Sequence, residues 1–210
     1  MFRLYRPIQP GEFFVCFGDT AQGGIDKNYV QFMSQTQLDI PLVLAMHGTA
    51  AEATPFLIQA LRYIRQKTGI PPTVALERQN GGASAMHDLM MANSSDEYTI
   101  YIAKTEGGVM GEDQTKKLGW DTNAISRPQM LGQWLTAFNS RQVKIYDRET
   151  IEQHSTFIVN KNGKPEAAPN THDDAVMSCA GVWQMYQTEQ PPSTEPQEYT
   201  SGNFASAWLS

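Results

Sequence analysis

The 210-residue sequence predicts an α/β domain built on a mixed β-sheet, three antiparallel strands and then alternating α/β units, flanked by helices. Three observations predict it. Strand-type runs at 12–18, 29–36 and 42–47 follow one another through short links, the pattern of an antiparallel meander. Helical periodicity then alternates with short β-branched strands. Acidic residues recur where strands and the last helix meet their loops.

In chain order, residues 1–11 are an opening segment punctuated by Pro7, Pro10 and Gly11. The first strand, Phe13 to Gly18, stops on Asp19, and a small-residue loop with Gly23 and Gly24 leads to Asp26. Tyr29 to Thr36 alternates partly, and Leu42 to His47 follows Pro41 as a third strand. From Ala51 to Lys67, Phe56, Leu57, Ala60, Leu61 and Ile64 mark one helix face, which Gly69 and Pro71-Pro72 terminate. Thr73 to Glu77 is a short strand ending on an acid. Gly81-Gly82 opens a helix through Met86, Leu89 and Met90, and Thr99 to Ala103 is a further strand.

Residues 104–124 are polar and glycine-rich and predict a long loop of the kind that is often functional in a compact domain. Ser126, with Gln129 three residues on, predicts a capped helix start, and Met130, Leu131, Trp134, Leu135 and Phe138 give that helix its stripe. Val143 to Ile145 is a short strand, Arg148 to Phe157 is helical, and Phe157 to Val159 suits a strand. Residues 160–170 suit a hairpin, with Asn162-Gly163 as its turn. The last helix runs from Asp173 to Gln187, and 191–210 is rich in Pro, Ser, Thr and Glu and predicts a disordered tail after a 1–190 domain.

Composition limits the function classes. Hydrophobic residues make up 40% and charged residues 18%, a globular balance. No apolar run approaches the roughly 20 residues of a membrane span, and the N-terminus lacks a secretory core, so the chain reads as intracellular. Cys16 and Cys179 fall mid-strand and mid-helix and read as reduced core thiols. Four histidines and no paired cysteine spacing give a zinc site little support. A net charge of −6 opposes bulk electrostatic binding of nucleic acid, unless several acids are metal ligands.

The acids are the candidate chemistry. Asp19, Glu77, Asp173 and Asp174 all sit at element ends, which a mixed sheet can gather at one edge. Oxygen ligands of this kind suit Mg2+ or Mn2+. Two carboxylates about 4 Å apart repel by roughly 4 kcal/mol at an effective dielectric near 20, so a convergent set calls for cations. Each residue also has a plainer reading. Asp19 and Asp26 fit turns, Glu77 could pair with Arg78 at the surface, His172 could be solvated, and one of Asp173 and Asp174 is expected to cap the helix.

Five stretches, in order, resemble the nuclease domain of the large terminase subunit of tailed bacteriophages, an RNase H-like fold of the RuvC-resolvase type. They are Gly18–Asp26, Leu76–Gly82, Lys117–Asn123 leading to Arg127-Pro128, Tyr146–Glu152, and Thr171–Met177. The resemblance covers about 12–187. It implies an endonuclease that cuts concatemeric viral double-stranded DNA during genome packaging in the host-cell cytoplasm, using two Mg2+ or Mn2+ ions. It carries the catalytic, metal-ligand role onto Asp19, Glu77, Asp173 and Asp174, without ranking the last two, and places Asp26 and His172 in support. Some relatives carry His or Asp one turn further on, where this chain has Met177. Family members join the nuclease to an ATPase domain and work with a portal and a small terminase subunit. No phosphate-loop motif occurs in these residues.

Cations for DNA contact are Lys104, Lys116, Lys117, Arg127 and Lys144, with Arg141, Lys161 and Lys164 as further candidates. Phosphate contacts would be largely independent of base sequence. Three alternatives stay open. They are a Holliday-junction resolvase-like nuclease, an actin-like ATP-binding domain suggested faintly by Gly18-Asp19-Thr20, and a catalytically weak interaction module whose acidic tips bind a packaging partner.

Overall fold

The computed structural model describes residues 1–103, 118–161 and 163–189. The meander is β2 (Phe14–Asp19), β3 (Gln22–Ser34) and β4 (Asp39–Thr49). After it come α1 (Ala50–Thr68), β5 (Thr73–Leu76), α2 (Gly82–Ala92) and β6 (Thr99–Ile100), then α3 (Ser126–Asn139), β7 (Lys144–Ile145) and α4 (Arg148–Ser155). A hairpin of β8 (Phe157–Val159) and β9 (Pro165–Ala167) precedes α5 (Asp174–Thr188). The opening segment holds an unanticipated strand, β1 (Phe2–Leu4), which pairs antiparallel with β4. The sheet order is β1-β4-β3-β2-β5-β6, with β7 also beside β4. The meander is antiparallel, and β5 and β6 run parallel to β2.

β2 reads as a continuous apolar run because both of its faces are covered. Val15 and Phe17 join the core under α3 and α5, while Phe14 and Cys16 join the core under α1 and α2. Both cysteines are free and buried. Among the described residues no helix is long and apolar enough to cross a membrane. Residues 104–117 of the candidate loop 104–124, Asn162 and the chain beyond 189, with its candidate tail 191–210, lie outside the described residues.

Helix starts depart from the sequence reading in two places. Ser126 is inside α3 rather than its cap. Asn123 Oδ1 accepts from the Ile125 and Ser126 amides, and Ser126 Oγ accepts from the Asn123 amide. At α5 neither aspartate caps the helix, since Asp173 stands at the N-cap position and its side chain makes no capping bond. By contrast, Thr49 and Glu52 form a reciprocal capping box at α1, and Asp147 caps α4 through the Thr150 amide at 2.8 Å.

α5 lies directly on β2 because Gly181 has no side chain there. A Cβ at Gly181 would overlap the Phe17 ring. This close approach, about two helical turns from Asp174, brings the start of α5 to the end of β2. Gly181→Ala is therefore expected to lower stability by about 1–3 kcal/mol through overpacking. Denaturant titration of variant and wild type checks this, and an unchanged midpoint would show that the contact is slack.

Candidate metal centre

Strand register sets the first two carboxyl groups. β2 and β5 are parallel, with Gly18 opposite Leu76, so Asp19 and Glu77 are the next residues on neighbouring strands. Neighbouring strands lie about 4.8 Å apart. The Glu77 amide donates to Gly18 O at 2.9 Å and fixes this register. Side chains alternate along a strand, so Asp19 follows Val15 and Phe17 onto the α5 face. The start of α5 meets the pair there with Asp173 and Asp174. Asp19, Asp26, Glu77, Asp173 and Asp174 line one cleft of about 460 Å³, together with Thr20, Asn80, Met177 and Arg127.

The segment after β2 forms the cleft wall. Gly23 and Gly24 have φ of 97° and 86°, a left-handed turn that glycine takes without strain. The buried Asn28 holds this wall. It accepts from the Ala21 amide at 3.0 Å and donates to Gly48 O at 2.7 Å. Thr20 Oγ1 donates to Gln79 O at 2.9 Å and ties the β2 and β5 ends together.

The acids are not equivalent. Burial, then the charges of Glu77, Asp174 and Asp173, push the Asp19 carboxyl well above the usual carboxylate range, and Asp19 is within hydrogen-bonding reach of Glu77. Burial also raises Asp174, with Asp26 and Asp173 adding to it. The Lys27 amide, which donates to Asp174 Oδ2 at 3.3 Å, works the other way. Asp173 Oδ2 instead takes a 3.0 Å contact from Arg127 Nη2. His172 Nδ1 is 3.4 Å from Asp26 Oδ1, and Asp26, His172 and Asp174 each offer an atom within 4.8 Å of the others.

The donor set fits a hard divalent cation. Asp19 is a half-buried carboxyl opposed by its neighbours' charge, and among the described residues Arg127 is the cation lining the cleft. Asp19, Glu77 and Asp174 could hold one there, with Asp26 and His172 on the open side.

The sequence-predicted acids thus converge, with Asp173 turned toward α3. Arg78 pairs with Asp121 at 3.3 Å, not with Glu77. Lys144 is not at the cleft. In the β7–β4 register it stands opposite Asp39, at the end of β4 away from Thr49, and its Nζ lies 4.7 Å from the Tyr146 ring. Lys104, Lys116 and Lys117 lie outside the described residues. Sequence reasoning missed Asn28, Asn80 and Gln153. A lone amide side chain carries no periodicity or spacing signal, and only the Asn80-Gly81-Gly82 turn pointed to the second of these.

No protein-family model matches the sequence, and no curated protein sequence matches it. Solved structures do. The large terminase nuclease of thermophilic phage G20c aligns with a TM-score of 0.62 at 15% identity, over 87% of this chain and 86% of that one. The Thermus phage P74-26 large terminase nuclease domain gives 0.60 at 15% identity, over 90% and 87%. The human cytomegalovirus terminase nuclease domain gives 0.56 at 10% identity, over 83% of each. The G20c protein has been solved with bound cobalt, magnesium and zinc, and the cytomegalovirus domain after a manganese soak. The chain has the RNase H-like fold of these nuclease domains, as its five motif stretches implied.

The repulsion at Asp19 gives a signed prediction. Its folded-state pKa lies above the unfolded value of about 3.9, so the metal-free fold takes up a proton. This penalty is full above the folded pKa and fades as pH falls toward about 3.9. In chelator, Asp19→Asn is expected to stabilise the protein at neutral pH by about 1 kcal/mol or more, roughly 2–4 °C in Tm. That gain should shrink on acidification. Melting curves against pH test it, and a destabilised variant at neutral pH would contradict the reading.

Proposed function

We propose that the chain is a divalent-cation-dependent DNA endonuclease of the large-terminase type, cutting concatemeric viral double-stranded DNA during genome packaging with little sequence preference. One observation carries the reading. Asp19 and Glu77 stand side by side at the carboxyl ends of parallel strands, faced by Asp174, in a fold whose solved relatives are terminase nucleases. The metals in those relatives support Mg2+ or Mn2+ here, with two ions as the proposed stoichiometry.

In this proposal Asp19, Glu77 and Asp174 are the principal ligands. Asp173 is a further one, and Asp26 and His172 support the outer side. Divalent ions bound there supply Lewis acidity, making water a better nucleophile and offsetting charge on the leaving oxygen. The chain's own groups do the positioning. The Lys27 amide fixes one oxygen of Asp174 and so aims the other. Burial of Glu77, 9% exposed, keeps bulk water from the floor of the cleft. Arg127 is the cleft's phosphate contact, exchanging Asp173 for a DNA phosphate oxygen. Its guanidinium reads backbone rather than bases, which suits an enzyme with little sequence preference. The ATPase domain, portal and small terminase subunit are the proposed partners, in the host-cell cytoplasm.

Supercoiled plasmid incubated with Mn2+ or Mg2+ tests this. Conversion to nicked and linear forms is expected, and chelator should stop it. Asp19→Asn and Glu77→Gln should each slow cleavage by at least about 100-fold while remaining folded. Full activity in either folded variant would sink the assignment.

Arg127→Ala makes a separate prediction. Binding of double-stranded DNA should weaken about equally on unrelated sequences, and the slope of log affinity against log salt should drop by about 1. Loss on one sequence only would remove Arg127 from the phosphate-contact role.

A further inference from the structure

An aspartate at the start of a helix ordinarily accepts from the free amides of the first turn. Asp173 and Asp174 stand at that place in α5, and Asp173 makes no such bond. One of these first-turn amides is nevertheless satisfied by another side chain. Ala175 N–H donates to Gln153 Oε1 at 2.8 Å, in a buried contact across 22 residues of chain. Gln153 is 9% exposed, and pinning a long amide side chain against another helix sacrifices rotamer freedom.

The helix that carries Gln153 is anchored on several sides. Asp147, fully buried, caps α4 and accepts from Tyr5 Oη at 2.5 Å. Trp134 Nε1–H donates to His154 Nε2 at 2.8 Å, and His154 Nδ1 faces Thr150 O at 2.7 Å. Gln31 Nε2 donates to Thr150 Oγ1 at 3.1 Å. The Gln153 acceptor is thus held at a fixed point relative to the sheet.

We propose that Gln153 is a surrogate cap for α5, a positioning residue that takes the capping bond so that Asp173 and Asp174 keep their carboxylates for cations in the cleft. The inference rests on the proposed metal site and adds how that site is kept available. A buried amide left without an acceptor is costly, so removing Gln153 makes Asp173, at the N-cap position and now paired with Arg127, the substitute acceptor. Turning inward to cap Ala175 would take its carboxylate away from the cleft. A ligand that must first be withdrawn from a competing bond lowers apparent affinity by the fraction still available. A capping bond of ordinary strength makes that loss roughly fivefold.

The test is a Mn2+ titration of the full chain, read by the shift in melting temperature and by the electron paramagnetic resonance signal of free Mn2+. The midpoint for Gln153→Ala is expected to rise roughly fivefold. Gln153→Glu, which keeps an acceptor for Ala175, should restore it. A residue with a merely structural role would lower the melting temperature of the metal-free protein and leave the midpoint unchanged, and that result overturns the proposal. A wild-type protein insensitive to Mn2+ overturns the metal-site reading itself, and this inference with it.

A second measurement needs no variant. In the wild type, hydrogen exchange at the Ala175 amide should be at least as slow with saturating Mg2+ as without it, because its acceptor is not a metal ligand and bound metal stabilises the fold. Loss of protection on adding Mg2+ would identify an aspartate as the cap and overturn the proposal.

Discussion

Burial and like charge both act against Asp19, and the scaffold around it is built to hold it there regardless. Like charge at short range is unfavourable where water is partly excluded, and a domain stable by only roughly 5–15 kcal/mol must offset it elsewhere. Three devices prevent the acids from moving apart. The Gly18–Leu76 register locks Asp19 beside Glu77, Gly181 lets α5 press onto Phe17, and the Lys27 amide holds Asp174. Two apolar cores, one on each face of β2, supply the stability that the acidic cleft draws on.

The polar groups behind the cleft continue the same logic. Lys27 gives its backbone amide to Asp174 and its ammonium to Glu149 at 2.5 Å, so one residue of β3 joins the cleft to α4. Burial works against the Glu149 charge, yet hydrogen bonds from Lys27 and Arg3 hold its carboxyl below the usual range. Arg3 also lies 3.0 Å from the buried Asp147 and donates to Tyr29 Oη at 2.7 Å. Such networks add little net stability compared with apolar packing, but they accept few alternative geometries. Their place here holds β3, which carries Asp26, against β1 and α4.

Local pattern made most of the fold legible. The apolar run Phe13 to Gly18 and the stripe of α1 needed no tertiary knowledge, and acids at element ends pointed to one edge of the sheet. What could not be read depended on contacts remote in sequence. Three residues of β1 carry too little periodicity to outweigh Pro7 and Pro10, and they become a strand only because β4 offers an edge. Gly23-Gly24 looked like a loop, yet it is the bent beginning of a thirteen-residue β3 held by Asn28. Ser126 and Asp173 both carry the residue type of a cap and neither serves as one, because Asn123 and Gln153 took the role. Capping preference is a local rule, and here a nearby loop and a distant helix overrode it.

Asp173 and Asp174 show why adjacent identical residues could not be ranked from sequence. Asp174 is the first residue of α5, whereas Asp173 stands at its N-cap with a non-helical backbone, so the two carboxyl groups enter the cleft from different directions. Asp174 turns toward β3 and Asp19, whereas Asp173 turns toward α3 and Arg127. That division follows from where α3 lies, a non-local fact. On the proposed reading it also divides their work. Asp174 is tied to the sheet and serves as a fixed ligand. Asp173 is held by a cation that DNA can claim, so an ion drawn to Asp173 and a phosphate drawn to Arg127 each release the other's partner. By linkage the two bindings then favour one another to the same degree.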